Sequence, residues 1–169
     1  MPGTPDPVLG SDALTFAVAA ALGIVATTVP IALEREDRLP EPWRLALGGG
    51  VVSALGHLTL WSLARDLANP LALFAPSRPL LVGFVVLAVL VLGAQTAIPW
   101  YCYARWRLRI PLVVLFGATT LVVDSFLHVH GETDPLGLYT LFFGPVLVVS
   151  LGILATAELL GRKARKSRR

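Results

Sequence analysis

The chain has 169 residues, of which 55% are hydrophobic and only 15% are charged. A soluble domain of this size carries about 25% charged residues, so the composition argues against an ordinary water-soluble fold. The single cysteine, Cys102, excludes an intramolecular disulfide, a CxxC redox pair and a cysteine-rich metal site.

Five long apolar runs, with at most one charged residue each, follow one another along the chain. A bilayer core of about 30 Å requires about 20 helical residues, and each run reaches that length. The runs are Ala13–Leu33, Leu45–Ala64, Leu80–Cys102, Ile110–His130 and Leu136–Leu160. We therefore expect a single all-α domain: a polytopic integral membrane protein built as a five-transmembrane-helix bundle.

The basic residues predict how this bundle is oriented. If the first connector, the third connector and the C-terminal tail share one side, that side holds all but two of the basic residues. They are Arg35, Arg38, Arg44, Arg105, Arg107, Arg109, Arg162, Lys163, Arg165, Lys166, Arg168 and Arg169. Because Lys and Arg are retained in cytoplasmic loops, we expect the N-terminus outside and the C-terminus in the cytoplasm.

The tail at 161–169 is expected to be cytoplasmic and to contact anionic lipid headgroups, which attract basic segments next to a membrane. We expect no nucleic acid as a partner, because no aromatic or glycine pattern accompanies these charges. A homo-oligomer or another membrane protein is left open as a partner. The predominance of Arg over Lys, with abundant Ala, Leu, Val and Gly, favours a prokaryotic plasma membrane.

The connectors carry few further signals. The segment at 65–79 is predicted to lie on the outer surface, with a shallow re-entrant dip as the alternative. Pro42 and Pro135 suit the first turn of the second and fifth helices, and Asp134 suits the cap before Pro135. The short connection at 131–137 makes helices four and five antiparallel neighbours.

Small and polar residues predict which helix faces meet, since helices pack closely in lipid where side chains are small. In helix two, Gly49, Ser53 and His57 are spaced by four and share a face. In helix four, one stripe is formed at spacings of three and four by Gly117, Thr120, Asp124 and His128. Both faces are expected to contact protein.

The candidate site is a polar cluster formed by His57, Asp124 and His128. His57 and Asp124 each lie about 10 Å from the outer end of their predicted helices, and His128 is one turn nearer water. An aspartate within a span costs about 2.5–3.5 kcal/mol on insertion scales, so it should face the bundle and find a partner. His57 and His128 are the candidate partners.

Three interpretations of this cluster compete. In the first, a buried hydrogen-bonded polar pair fixes the helix register. In the second, His57, Asp124 and His128 handle protons or bind a divalent metal such as Zn²⁺, with one position left for water. In the third, His57 and His128 hold haem. His130 is expected at the interface, because it points away from His128 on a regular helix.

Three further features of the polar residues are expected to be structural. Gln95 is expected to hydrogen-bond across the bundle, and Glu158 to pair with Arg162 one turn later. Threonine hydroxyls in helices often bond their own backbone. That interpretation applies to Thr27, Thr28, Thr119 and Thr120.

The favoured function is that of a non-enzymatic membrane component, such as an accessory subunit, a scaffold or a small permease-like element. The alternative is a membrane-embedded metal-dependent enzyme or a proton-coupled carrier that uses His57, Asp124 and His128. No phosphate loop, Gly-x-Ser-x-Gly elbow or His-Glu-x-x-His motif is present in the sequence.

Overall fold

A computed structural model of the protein describes residues 6–68, 78–129 and 135–167. Most of the connector predicted at 65–79 lies outside the described residues. The same holds for His130, Asp134, Arg168 and Arg169, and for the side chain of Lys166.

The described residues form a bundle of five helices, as the sequence predicts. They are α1 (Asp12–Arg35), α2 (Pro42–Ala68), α3 (Arg78–Trp106), α4 (Ile110–Phe126) and a last helical rod, α5. The rod comprises an α-helical turn (Pro135–Leu138), a π-helical turn (Tyr139–Phe143) and a long α-helix (Gly144–Ser167). The helix therefore continues into the basic tail beyond the predicted end at Leu160.

The first residues of the helices match the local signals in the sequence. Pro42 and Pro135 each stand at the first helical position, where proline loses no intrahelical hydrogen bond. At α1, the Ser11 hydroxyl accepts a hydrogen bond from the Leu14 amide at 3.2 Å and caps the helix.

Within the part of the chain that the structure describes, four helices are long and apolar enough to cross a membrane: α1, α2, α3 and α5. The fifth, α4, has 17 residues and extends only about 25 Å, short of a bilayer core of about 30 Å. The prediction of five helices is thus confirmed, whereas α4 is shorter than the predicted run to His130.

A small strand pair explains why α4 ends early. β1 (Asp6–Pro7) pairs antiparallel with β2 (His128–Val129), and the Val8 amide donates to the Leu127 carbonyl at 2.9 Å. Composition alone does not reveal this strand, because Leu127 and Val129 are as apolar as the helix before them.

α3 and α4 each contact all of the other four helices. α1 packs mainly against α4, and α2 packs mainly against α3, whereas α1 and α2 have few direct contacts. Along the α1–α4 contact, Gly23 lies so close that a Cβ there would meet the Thr120 hydroxyl at 2.6 Å. These pairings leave an opening between α1 and α2, with α3 and α4 behind it.

The outer faces of the helices are strongly apolar. Val52, Val113, Leu121 and Val146 each expose about two thirds or more of their surface, at 71, 69, 67 and 67%. A soluble protein avoids large contiguous apolar surfaces of this kind, whereas a bilayer covers them.

Contacts among the connectors show that the basic segments share one end of the bundle. Glu34, near the end of α1, forms an ion pair with Arg107 after α3 at 2.9 Å. Arg162 of α5 donates to the carbonyls of Trp106 and Arg107 at 3.1 and 2.8 Å. The first connector, the third connector and the last helix therefore meet, which is the grouping that the charge pattern predicts.

Candidate functional site

His57 lies near the middle of α2 and is buried, with 7% of its surface exposed. Its Nδ1 lies 2.7 Å from the Ser53 carbonyl oxygen, one turn earlier in the same helix. The Ser53 hydroxyl in turn accepts a hydrogen bond from Thr96 of α3 at 2.7 Å. The face predicted from Gly49, Ser53 and His57 is thus in contact with protein.

The second ring nitrogen of His57, unlike Nδ1, has no hydrogen-bond partner among the described residues. This atom, Nε2, is buried. Because a carbonyl oxygen only accepts, the bond to Ser53 places the hydrogen of the neutral ring on Nδ1 and leaves Nε2 as an acceptor. The ring meets Phe126 edge-on, with the centroids 6.3 Å apart.

A groove of about 310 Å³ lies in the opening between α1 and α2, and His57 is one of the residues that line it. Leu22, Val25 and Val29 form its α1 wall, so it extends along the middle of that helix. Ser53, Thr96, Trp100, Thr119 and Val123 also line the groove.

Trp100 forms part of the inner wall of the groove. Its indole nitrogen donates to the Ala26 carbonyl at 2.8 Å, which ties α3 to α1. A Cβ at Gly49 would lie 2.2 Å from the indole ring, so only glycine leaves room for Trp100 at this height of α2. The glycine-rich start of α2 therefore shapes the groove as well as the packing.

Thr119 supplies a second polar atom without a partner. Its hydroxyl is buried and makes no hydrogen bond within the described residues, although it was expected to bond its own helix backbone. The same expectation is confirmed for Thr27, Thr28 and Thr120, which bond carbonyls three or four residues earlier. His57 Nε2 and the Thr119 hydroxyl are thus two buried polar atoms without a partner among the described residues.

Asp124 and His128 belong to a second cluster at the end of the bundle that holds the N-terminus. His128 Nδ1 lies 2.7 Å from the Asp124 carbonyl oxygen and 3.8 Å from its carboxylate. On the other side of the ring, Nε2 lies 3.3 Å from the Asp12 carboxylate at the start of α1. His128 therefore connects the end of α4 to the first turn of α1.

The surroundings of His128 alter its acidity. Partial burial acts to lower the pKa of His128, but hydrogen bonds to the Asp124 carbonyl and the Asp12 carboxylate act against it, together with the charges of both aspartates. The net effect is a pKa above the ordinary value of about 6.5. The protonated ring is thus stabilised between two carboxylates.

The three predicted site residues therefore fall into two clusters. The structure brings Asp124 and His128 together and adds Asp12, whereas His57 is buried and bonds Ser53 within α2. Within residues 6–68, 78–129 and 135–167, no group of three or more His, Cys, Asp and Glu residues is placed to hold a metal ion.

The ends of the two helices differ from the predicted ends. α2 continues to Ala68, which puts His57 near its middle, and α4 ends at Phe126, which puts Asp124 in its last turn. His57 nevertheless lies beside this last turn, because its ring meets that of Phe126 edge-on.

Sequence reasoning missed four residues of these clusters: Asp12, Thr96, Trp100 and Thr119. Asp12 has the sequence signal of a first-turn helix acid, which gives no hint of a histidine at the end of α4. Thr96 and Thr119 are single threonines in apolar runs, a pattern that most often reflects backbone bonding. The contacts between helices that single them out are not encoded in local spacing.

Two structural expectations are confirmed elsewhere in the bundle. Gln95 accepts a hydrogen bond from the buried Tyr139 hydroxyl across the α3–α5 interface. Glu158 pairs with Arg162 at 2.5 Å, and its carboxylate also accepts from the backbone amides of Arg109 and Ile110. This pair therefore fixes both the end of α3 and the start of α4.

The comparisons with known proteins add no family assignment, since the chain matches no family model, no curated protein and no solved structure.

Proposed function

We propose that the protein is a multi-pass integral membrane protein of a prokaryotic plasma membrane, with a non-enzymatic role within the bilayer. The observation that carries this proposal is the set of four long apolar helices whose outer faces expose large hydrophobic side chains. Such helices satisfy their own backbone hydrogen bonds, as the hydrocarbon region requires.

The proposed orientation has the N-terminus outside and the C-terminus in the cytoplasm. It is supported by the meeting of the first connector, the third connector and the last helix at one end, which gathers the arginines there. Trp43 and Trp106 are partly exposed at that same end, as expected of aromatic residues at a membrane interface.

Polar side chains that form hydrogen bonds between helices support the non-enzymatic role. Thr96 bonds Ser53 across α2 and α3, and Trp100 bonds the Ala26 carbonyl across α3 and α1. Hydrogen bonds between helices in membranes are worth about 0.6 kcal/mol on average, and they also fix register. These polar residues act as contacts that hold the bundle together.

Anionic lipid is the partner we propose for the basic end. A groove of about 450 Å³ between α1, α3 and α4 is lined by apolar side chains and by Arg35 and Arg109. Basic pockets between helices on the cytoplasmic side are suited to anionic headgroups. The exposed Lys163 and Arg165, on the helical start of the tail, add further positive charge.

Site-specific cysteine labelling in intact cells tests location and orientation together. Cys102 is buried, and a Cys102→Ser background removes it. Leu9→Cys reports the N-terminal end, while Glu36→Cys and Arg165→Cys report the basic end; all three positions are exposed. A membrane-impermeant maleimide should label only Leu9→Cys in intact cells and all three after lysis.

Two results would overturn the proposal. Labelling of Arg165→Cys in intact cells would reverse the orientation, and release of the wild-type protein by alkaline carbonate would contradict an integral location. A Val29→Cys variant within α1 serves as the control, because lipid should shield it before and after lysis.

A further inference from the structure

The groove between α1, α3 and α4 at the basic end changes from charged to apolar along both α1 and α4. On α1 it runs from Arg35, at the end of the helix, back to Thr27, and on α4 it runs from Arg109, before the first turn, to Phe116. In both helices the arginine therefore lies at the basic end, and the apolar residues lie toward the middle of the bundle. A phospholipid has the same order, with a charged headgroup at the membrane surface and a hydrocarbon chain toward the centre.

Arg35 and Arg109 are exposed and form no ion pair within the part of the chain that the structure describes. None of the described residues that line the groove is acidic. Glu34 accepts a hydrogen bond from Tyr103 in the wall of the groove, but Arg107 already balances its charge at 2.9 Å. The two positive charges of the groove are therefore available to a ligand.

Other arginines at this end are less available, because each of them pairs with a glutamate. These pairs are Arg38–Glu36, Arg44–Glu41, Arg107–Glu34 and Arg162–Glu158. The groove thus differs from the surrounding basic surface in having two arginines that no described carboxylate neutralises.

We propose that this groove binds one lipid whose headgroup is a phosphate monoester, as in phosphatidic acid. The phosphate lies at the arginine end, and an acyl chain lies along Ile31, Val113 and Phe116. This inference rests on the membrane location and the anionic-lipid contact proposed above, and it names the headgroup that the groove prefers.

The charge of the groove favours a monoester over a diester headgroup. A phosphate monoester carries a charge of about −1.5 to −2 at pH 7, since its second pKa is about 6, whereas a diester such as phosphatidylglycerol carries a single charge. The groove volume of about 450 Å³ corresponds to a width of about 8–10 Å, similar to the Debye length at physiological ionic strength. A phosphate in the groove is therefore attracted by both guanidinium groups, whichever of them it contacts.

The apolar side of the groove favours a lipid over a soluble phosphate. Val113 and Phe116 line this side, and they are 69% and 37% exposed. The Phe116 ring also lies against α1, where a Cβ at Gly23 would be 3.0 Å from it, and this contact marks the end of the groove away from the arginines. From Thr27 to Arg35 the groove follows about 12 Å of α1, which is enough to hold part of an acyl chain next to the phosphate.

Competition between two lipids with the same acyl chains tests the proposal. The protein is purified in mixed micelles with equal amounts of dioleoylphosphatidic acid and dioleoylphosphatidylglycerol, and native mass spectrometry measures which lipid is retained. Phosphatidic acid should be retained about 2- to 5-fold more at pH 7.5, because a further unit of charge near an arginine is worth up to about fivefold in affinity. The ratio should fall toward one at pH 5, where the monoester is mostly singly charged.

Three substitutions and their controls locate the site. Arg35→Gln and Arg109→Gln should each bring the ratio of the two lipids close to one. Arg105→Gln should retain the wild-type ratio, because Arg105 is exposed at the same end, has no ion pair among the described residues and does not line the groove. Phe116→Ala should weaken the retention of both lipids equally, whereas Phe142→Ala, at an exposed position of α5, should weaken neither.

The inference is wrong if the two lipids are retained equally at pH 7.5, or if the preference survives in both arginine variants of the groove. It is also wrong if an equal concentration of glycerol 3-phosphate displaces phosphatidic acid, since the headgroup would then bind without the chain. The proposed contact with anionic lipid fails separately, when phosphatidylglycerol is retained no more than phosphatidylcholine. If a variant does not fold, the pH dependence of the wild-type ratio still decides the question.

Discussion

Gly50 of α2 lies directly against Gly93 of α3, so closely that a Cβ at position 50 would sit 2.9 Å from the Gly93 carbonyl oxygen and 3.2 Å from the Ala97 Cβ. The obstacle is backbone, which cannot rotate away as the end of a flexible side chain can. The most extensive helix pair of the bundle, α2 with α3, therefore depends on the absence of a side chain at this position.

Gly50→Ala should destabilise the protein, because the added methyl group forces the two helices apart. Overpacking of this kind costs about 1–3 kcal/mol. The measurement is the free energy of unfolding by SDS titration in mixed micelles. Gly48→Ala is the matched control, since nothing lies within 4 Å of a Cβ there. Gly48→Ala should be neutral or stabilising, and equal losses in both variants would contradict the close contact.

Protonation of His128 should make the end of the bundle that holds the N-terminus more stable at low pH. Its folded pKa is raised above the unfolded value, so the stabilisation is fully present below about pH 6.5 and is lost as pH rises through the folded pKa. The Asp12 side chain is 85% exposed, and solvent screening therefore keeps the contribution below about 1 kcal/mol.

Hydrogen exchange of the backbone amides at 8–10 measures this effect locally. Protection, corrected for the intrinsic pH dependence of exchange, should fall between pH 5.5 and 8.5 in the wild-type protein. It should be independent of pH in His128→Gln and only weakly dependent in Asp12→Asn. A pH dependence that persists in His128→Gln would assign the effect to another group.

These two predictions mark what the sequence can and cannot reveal. The small-residue pattern at 48–57 indicates a face that contacts protein, because close helix packing requires small side chains in consecutive turns. The Asp12–His128 contact joins residues more than a hundred positions apart, and it depends on α4 ending at Phe126. Hydropathy does not reveal where α4 ends, since the segment after Phe126 is equally apolar.

The neighbours of His57 could be predicted from the sequence only in part, for a similar reason. Spacing places His57 on one face with Gly49 and Ser53, which is what the structure has. It does not determine which neighbouring helix lies opposite, because that depends on how α1 and α2 are held apart by α3 and α4. Asp124 was expected opposite His57, but the residues that line the groove with it are Thr96, Trp100 and Thr119.

Glu158 should stabilise the first turn of α4. Its carboxylate accepts hydrogen bonds from the amides of Ile110 and Arg109 at 2.9 and 3.2 Å, which is the role of a helix cap supplied from another helix. Glu158→Ala leaves these amides without a partner and should cost about 1–2 kcal/mol in the free energy of unfolding.

Two comparisons separate capping from a simple loss of charge. Glu158→Gln keeps one acceptor oxygen and should retain part of the stability. Glu36→Ala removes an exposed carboxylate whose one ion pair among the described residues is with Arg38 at 3.4 Å, so its effect should be within about 0.5 kcal/mol. A Glu36→Ala loss equal to that of Glu158→Ala would point to charge alone.

The hydrogen bond from Tyr139 to Gln95 should be worth more than a surface hydrogen bond. Gln95 is buried, with 1% of its surface exposed, and its Nε2 has no partner among the described residues. Within those residues, the bond that Oε1 accepts from Tyr139 is therefore the one hydrogen bond of this side chain. Tyr139→Phe should cost about 1–3 kcal/mol in the free energy of unfolding, because neither Oε1 nor Nε2 of the buried Gln95 amide then has a hydrogen-bond partner among the described residues. Tyr101→Phe, at an exposed position, should cost little.

A second substitution tests whether the cost comes from the amide left behind. Adding Gln95→Leu to Tyr139→Phe removes the buried polar group altogether, and stability should then recover in part. A double variant less stable than Tyr139→Phe would show that packing volume, and not hydrogen bonding, dominates at this interface. The wild-type protein, Tyr139→Phe, Gln95→Leu and the double variant form a double-mutant cycle. SDS titration of these four proteins gives the coupling energy between the two side chains.

Arg35 and Arg109 should give the protein a preference for anionic lipid. They line the same groove at the basic end, and each arginine near such a surface is worth about 1 kcal/mol, or about fivefold in affinity. Arg35→Gln with Arg109→Gln should therefore reduce the retention of phosphatidylglycerol over phosphatidylcholine, measured by native mass spectrometry from mixed micelles. The control is Arg38→Gln with Arg44→Gln, since these arginines pair with Glu36 and Glu41. An equal loss in the control would mean that overall charge attracts the lipid and that the groove adds nothing.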